Sequence, residues 1–271
     1  MNPEKIRIDD VYKVYGPNEA RAVAMLREGA DRNVVHETTG CTVGLAGVSA
    51  AIPEGRITCI MGLSGSGKST LVRHLNRLID PSAGRILLDG SDILELDMPA
   101  LRELRRRKVS MVFQAFGLMP HMNVLDNVAF GLRVRGESRA QAHETAMQWL
   151  ERVGLADYSR HFPDELSGGM RQRVGLARAL AIDAEVLLMD EAFSALDPLI
   201  RYDMQDQLLD LQQRLNKTIV FITHDIQEAL RLGEHIVILR DGRVEQVGTP
   251  DEIRQNPANE YVERFVMHRP V

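Results

Sequence analysis

The stretch GLSGSGKS at residues 62–69 constrains the fold of this 271-residue chain more than any other segment. It fits the pattern G-x-x-x-x-G-K-[ST], and it stands between an apolar run of strand length, RITCIMG (56–62), and a helix-forming run, TLVRHLNRLI (70–79). Glycines allow the backbone to bend until consecutive N–H groups face one point, and the following helix adds its positive end. The segment therefore predicts a phosphate-binding loop between a buried strand and a helix.

The same loop predicts roles for single residues. Lys68 is expected to neutralise charge on the β- and γ-phosphates of a nucleotide, and Ser69 is expected to ligate Mg²⁺. A plain glycine turn is the alternative interpretation. The predicted nucleotide-binding residues of this segment are Gly62, Leu63, Ser64, Gly65, Ser66, Gly67, Lys68, Ser69 and Thr70.

Short apolar runs recur along the chain, and several end in a polar residue. Besides residues 56–62 they are VSMVFQ (109–114), EVLLMDE (185–191) and TIVFITH (218–224), with helix-forming segments between them. Runs that are apolar on successive residues suit strands covered on both faces, as in a parallel sheet. Because ligands bind beyond the carboxyl ends of such strands, the residues expected to converge there are Gln114, Asp190, Glu191 and His224.

These four side chains suit phosphate chemistry. Asp190 is expected to hold Mg²⁺ through water, and Glu191 to orient and deprotonate an attacking water. Two acids after a strand are common, so this pair carries weight only together with the phosphate loop. His224 is a candidate γ-phosphate contact, the alternative being a structural hydrogen bond, and the Gln114 amide is a candidate sensor of Mg²⁺ or water.

The rest of the chain predicts one α/β domain over residues 1–271. A core of residues 1–114 and 166–271 carries a mainly parallel sheet, and a helical subdomain is inserted at about 115–165. Strand-like pieces around a helical stretch (18–29) predict an N-terminal antiparallel β subdomain. Residues 235–248 predict a hairpin at Asp241-Gly242, and Thr249 is expected to cap a helix that follows.

Charge and hydropathy exclude some classes of partner. The net charge of −5 and the pI near 5.9 argue against a nucleic-acid binder that works through overall basicity. The basic run at 101–110 is expected to be a solvated face, the alternative being a patch for phosphate or RNA. The N-terminus is too polar for a signal peptide, and no run approaches 18 apolar residues. Cys41 and Cys59 lack the spacing of a zinc site, and Cys59 is expected to be a buried thiol.

A second glycine run, LSGGM at 166–170, opens another helix-forming segment and contains no lysine. Ser167 is a good N-cap, and Gly168 and Gly169 leave the first helical N–H groups accessible. Such a helix end can bind an anion, although a helix start with glycines for close packing is an equally good interpretation.

Six motifs in order then resemble the ATP-binding subunit of ABC transporters: the loop at 62–69, Gln114, LSGGM, LLMDE (187–191), SALD (194–197) and His224. The resemblance implies a P-loop NTPase (RecA-like) fold and a head-to-tail homodimer with each ATP between two subunits. Ser167, Gly168 and Gly169 would then face the partner's γ-phosphate, and Asp197 would link the subunits. Tyr15 matches an aromatic that stacks on adenine, although a bare aromatic is more often a core residue.

The extended N-terminal segment and Met170 resemble the glycine betaine/proline betaine importer branch, which has choline and histidine relatives. The branch implies transmembrane permease subunits, a binding protein outside the membrane, and a peripheral location on the cytoplasmic face. Contact with the permease is expected through residues 115–127, in which Phe116, Leu118, Met119 and Met122 are apolar, although packing inside the helical subdomain is an equally good interpretation of these side chains. Residues beyond 271 would be needed for regulatory CBS domains, so a short form is expected. The alternatives are a histidine or amino-acid importer, a soluble ABC ATPase of iron–sulfur assembly, and a nucleotide-binding regulator without hydrolysis.

Overall fold

A computed structural model describes residues 3–113, 117–194 and 196–267. The chain divides into two compact units, one of Met1–Leu101 with Val220–Val271 and one of Arg102–Ile219. The boundaries fall within the helix α4 (Met98–Glu103) and the strand β8 (Thr218–Thr223).

The first unit begins with an antiparallel sheet in the strand order β2-β1-β4-β5. Its strands are β1 (Glu4–Tyr15), β2 (Thr42–Pro53), β4 (Ala83–Leu88) and β5 (Ser91–Asp92). Between β1 and β2 lie two helices, α1 (Glu19–Arg27) and α2 (Arg32–Thr39), of which the sequence predicted only the first. Their apolar faces pack with β1 and β2 in one buried cluster that includes Val14, Val35 and Val43.

The second sheet of this unit carries the phosphate loop. β3 (Ile57–Met61) runs parallel to β9 (His235–Arg240), with β8 on its other side, and all five residues of β3 are buried, as their apolar run predicted. The loop then leads into α3 (Lys68–Leu75). β10 (Arg243–Gly248) pairs antiparallel with β9, so the predicted hairpin at Asp241-Gly242 is confirmed.

Three short helices complete the first unit. α9 (Ile226–Leu232) follows β8 and is capped by Asp225, whose side chain accepts from the N–H of Gln227. α10 (Pro250–Gln255) begins after the predicted N-cap Thr249, which forms a capping box with Glu252. The C-terminal segment forms two helices, because α10 ends at Gln255 and α11 (Glu260–Met267) starts after Pro257.

The second unit combines a parallel strand pair with helices. β6 (Val109–Val112) pairs with β7 (Val186–Asp190) in the register Val109 to Val186. The helices are α5 (Val124–Arg135), α6 (Arg139–Arg152), α7 (Gly168–Ala181) and α8 (Pro198–Leu215), and α5, α6 and α7 pack on one another. The buried face of α6 carries Ala142, Ala146, Trp149 and Leu150, which follow one another at helical spacing.

The predicted α/β class is confirmed, with its parallel strands, its N-terminal antiparallel sheet and its helix-rich segment. Across residues 3–113, 117–194 and 196–267, no helix combines the length and the apolar character that crossing a bilayer requires.

Candidate functional site

The phosphate loop lies at the carboxyl end of β3, where an α/β sheet presents its ligand sites. Gly62, Gly65 and Gly67 all have positive φ, and Gly67 starts α3 in a left-handed conformation. Lys68 is only 5% exposed, and its ammonium donates to the carbonyl oxygens of Gly62 (2.8 Å) and Leu63 (3.0 Å). The loop is thus wrapped around a buried positive charge.

Two further features suit the loop to a polyphosphate. The hydroxyl of Ser66 is buried and has no hydrogen-bond partner among the described residues. The amino end of α3, which begins at Lys68, adds the positive end of a helix dipole. A buried ammonium, a buried hydroxyl and a helix start at one loop fit an anion with several oxygens, so the residues present fit a nucleoside triphosphate.

Tyr15 lies beside this loop and does not belong to the core. Its side chain is 41% exposed, and a Cβ built on Gly44 would lie 3.0 Å from its Cε2 and 3.4 Å from the Thr70 methyl group. The ring edge and the first turn of α3 are therefore neighbours. Lys13 places its ammonium 5.1 Å from the ring centroid and donates to the Asp80 carbonyl, a contact that sequence reasoning missed.

His224 directly follows β8 and is exposed on a tightly braced turn. The hydroxyl of Thr223 donates to the buried Glu228 carboxylate and accepts from the N–H of Asp225 at 2.9 Å. Burial, with a contribution from Glu228, raises the pKa of the Cys59 thiol, which is buried as predicted. The two hydrogen bonds of the Thr223 hydroxyl, to Glu228 and from Asp225, hold the backbone that carries His224. Neither Thr223 nor Glu228 belongs to a recognised sequence motif.

In the second unit, the predicted acidic pair stands at the end of β7. Asp190 is buried, whereas Glu191 is partly exposed and has a φ of +46°, a left-handed conformation that is rare for glutamate. The Glu191 carbonyl accepts from both the N–H (3.2 Å) and the hydroxyl (2.9 Å) of Ser194. Backbone held in such a sparse region is a feature that clusters at functional sites.

The second glycine run forms the start of α7, and the predicted N-cap is confirmed. Ser167 accepts from the N–H of Met170 at 3.3 Å, and its side chain is exposed. Asp197 caps α8 in the same way, accepting from the N–H of Ile200 at 3.1 Å. A cavity of about 360 Å³ is lined by Ser167, Gly168, Gly169, Arg173, Leu196, Asp197 and Ile200.

The structure brings some of the predicted residues together within each unit, whereas no described contact joins His224 to the phosphate loop or the acidic pair to the LSGGM glycines. Tyr15 lies with the phosphate loop, and Asp197 lies with the LSGGM glycines. Arg173, which lines the cavity with these glycines, was missed, because an arginine on a helix carries no distinctive spacing. Gln114 and Phe116 lie outside the described residues.

Comparison with known proteins identifies relatives over most of the chain. Residues 45–194 match the sequence model of the family described as ABC transporter. The chain is 56% identical over 96% of its length to the glycine betaine/proline betaine transport system ATP-binding protein ProV of Escherichia coli strain K12, and it spans 65% of that protein.

Two further relatives match over larger shares of their own length. The trimethylamine N-oxide transport system ATP-binding protein TmoW of Pelagibacter ubique strain HTCC1062 is 48% identical over 100% of this chain and 79% of its own length. The solved dimeric structure of MJ0796, a bacterial ABC transporter cassette, superposes with a TM-score of 0.78 at 33% identity, covering 90% of this chain and 98% of that one.

Proposed function

Because the chain belongs to the ABC transporter family, we propose that it is the ATP-hydrolysing subunit of an importer for glycine betaine, proline betaine, choline or a related quaternary amine. The observation that carries the proposal is the 56% identity to the E. coli betaine transport subunit, which extends over both glycine-rich loops. The phosphate loop, which surrounds the Lys68 ammonium, and the LSGGM segment, which Ser167 caps at the start of α7, support a nucleotide site with two separate sets of contacts.

In the loop part of this site, Lys68 neutralises phosphate charge, and Tyr15 stacks on the adenine. Ser69, Gln114 and Asp190 are the proposed residues around Mg²⁺, which when bound offsets charge on the β- and γ-phosphates. The exposure of Tyr15 beside Thr70 supports its role, because a core tyrosine would not present a ring face.

Hydrolysis is assigned to the residues that follow β7 and β8. Glu191 orients and deprotonates the attacking water, and His224 contacts the γ-phosphate. The left-handed backbone at Glu191 and the two bonds to its carbonyl support this role, since they direct the carboxylate by fixing the chain that carries it. The braced turn at Thr223 does the same for His224.

The remaining ATP contacts come from a second copy of the chain. In the proposed head-to-tail homodimer, Ser167, Gly168 and Gly169 approach the partner's γ-phosphate, and Asp197 links the two subunits. The accessible N-terminus of α7 and the dimeric state of the similar cassette support this arrangement. Residues 1–271 form one ABC domain in this proposal, with a helical subdomain at about 115–165.

Permease subunits are the proposed membrane partner, contacted through residues 115–127 on the cytoplasmic face, with a substrate-binding protein acting through them. Leu118, Met119 and Met122 are half-buried in this segment, which leaves part of each apolar side chain to be covered. Trimethylamine N-oxide is a second candidate substrate, because the TmoW relative aligns over the whole of this chain.

ATPase stimulation in the reconstituted importer tests the proposal. We expect glycine betaine, proline betaine, choline or trimethylamine N-oxide to stimulate turnover, and histidine to have no effect. Glu191→Gln should abolish turnover and keep ATP binding, whereas Lys68→Ala should lose both. Stimulation by histidine alone would contradict the branch assignment, and full turnover by Glu191→Gln would contradict the mechanism.

A further inference from the structure

The phosphate loop rests on two neighbouring segments of backbone. A Cβ on Gly67 would lie 2.7 Å from the Gly44 carbonyl oxygen of β2 and 3.6 Å from the Cα of Gly242 in the β9–β10 turn. The turn is also bonded to both neighbours: the Gly242 N–H donates to Ser66 O (3.1 Å), and the Gly242 carbonyl accepts from Ala46 N (2.8 Å). The position of the loop therefore depends on how β2 and the turn are held together.

Arg32, the first residue of α2, joins these two supports. One guanidinium nitrogen lies 2.8 Å from the Asp241 carboxylate in the turn, and the other donates to the Val43 carbonyl of β2 at 3.2 Å. A planar guanidinium holds two acceptors in fixed directions, which a lysine ammonium cannot do in the same way. Arg32 thus ties the turn to β2, the two segments that border Gly67.

The segment that carries Arg32 is well anchored. α1 and α2 share the buried cluster with β1 and β2, in which Val35 is fully buried. Asp31 caps α2 by accepting from the N–H of Asn33 at 2.7 Å, so the backbone beside Arg32 is fixed. Both helices lie outside residues 45–194, the part of the chain that matches the family's sequence model.

We propose that Arg32 is a positioning residue for the phosphate loop, through which the α1–α2 segment sets the affinity of the subunit for ATP. The inference rests on the proposed function, in which this loop binds the nucleotide. Phosphate binding needs several N–H groups directed at one anion, so a small displacement of the loop weakens all of these contacts together.

ATP titration of the purified subunit with Mg²⁺ tests this inference. We expect Arg32→Ala to weaken ATP binding by about 3- to 5-fold, the upper part of the range for a partly exposed ion pair. Arg32→Lys should recover part of the loss, and Asp241→Asn, which tolerates the left-handed backbone at this position, should weaken binding less than Arg32→Ala. Because the pair is partly exposed, the ratio of wild-type to Arg32→Ala affinity should fall towards one as salt rises.

Arg27→Ala is the matched control, since Arg27 also lies in the α1–α2 segment but pairs with Asp10 of β1 and not with Asp241. Its ATP affinity should equal that of the wild type. Adding Asp241→Asn to Arg32→Ala should cause no further loss of ATP affinity, and the melting temperature of Arg32→Ala should fall by no more than about 4 °C, the shift that corresponds to about 1 kcal/mol. Unchanged affinity in Arg32→Ala, or equal losses in Arg27→Ala, would overturn the inference. A wild-type subunit that binds no ATP would instead refute the proposed function and the inference with it.

Discussion

The hydroxyl of Ser194 donates to the carbonyl oxygen of Glu191 at 2.9 Å, and the Ser194 N–H donates to the same oxygen at 3.2 Å. Both bonds act on a residue whose φ of +46° carries an energetic cost. The two bonds therefore fix the backbone of Glu191, and with it the orientation of the proposed catalytic carboxylate, without contacting the carboxylate itself.

Ser194→Ala should slow turnover more than it weakens ATP binding. It removes one of the two bonds to the Glu191 carbonyl, a loss of about 1 kcal/mol and hence of roughly 5-fold in kcat if the bond matters only for direction. Steady-state ATPase kinetics of the assembled complex measure the change, with KM expected to stay constant. Ser194→Thr keeps the hydroxyl and should retain most of the activity; a rise in KM alone would speak against a directional role.

Tyr15→Ala should weaken ATP binding through loss of the stacking surface, whereas Tyr15→Phe should bind normally. Base stacking on an aromatic ring contributes about 1–3 kcal/mol, which corresponds to roughly 5- to 150-fold in the dissociation constant. Tyr158→Ala is a matched control, because Tyr158 is 39% exposed against 41% for Tyr15 and lies in the other unit. Equal losses in both alanine variants would exclude stacking at Tyr15.

Asn127→Ala should destabilise the fold by about 2–4 kcal/mol. The fully buried Asn127 amide accepts from Met119 N (2.8 Å) and donates to the carbonyls of Met119, Met122 and Asn123, so alanine leaves buried polar backbone unpaired. Urea denaturation measures the free energy of unfolding. Asn33→Ala, at an exposed position of α2, should change it by less than about 0.5 kcal/mol, and a similar loss there would refute the assignment.

His74 should make the fold less stable in mild acid. Burial lowers the pKa of this histidine, although the Thr70 carbonyl that its Nδ1 contacts at 2.6 Å acts in the opposite direction. The unfolded chain then takes up a proton below about pH 6.5 that the folded chain does not, so stability is present above that pH and is lost as the pH falls.

The comparison of wild type with His74→Asn isolates this contribution, since the asparagine amide can replace the Nδ1–H bond to Thr70 without titrating. Denaturation curves at pH 7.5 and 5.5 should show a smaller loss of stability in the variant. An equal loss in both proteins would place the acid sensitivity elsewhere.

Much of the architecture could be predicted because its signals are local. An apolar run identifies β3, an Asp-Gly pair identifies the β9–β10 turn, and Thr249 identifies the start of α10. The resemblance to the betaine importer branch is likewise confirmed by the identity over 96% of the chain. Each of these features is determined by a few consecutive residues or by motifs of fixed spacing.

The contacts that position the site could not be predicted in this way. Arg32 and Asp241 are 209 residues apart in the chain, and nothing in either local sequence indicates the other. The left-handed backbone at Glu191 could not be predicted from the sequence either. Glutamate has no preference for this conformation, so only the surrounding structure imposes it. The residue roles proposed from motifs therefore stay predictions until the variants are measured.

The cap at Ser167 gives the start of α7 a chemical polarity. The serine oxygen accepts from the N–H of Met170, which occupies one of its two lone pairs, and its hydroxyl hydrogen can be donated outward. An oxygen that reaches this end of the helix can accept from the hydroxyl and from the first backbone amides. These donors all point in the direction from which an oxygen ligand would approach, so the start of α7 selects a ligand by hydrogen-bond direction as well as by charge.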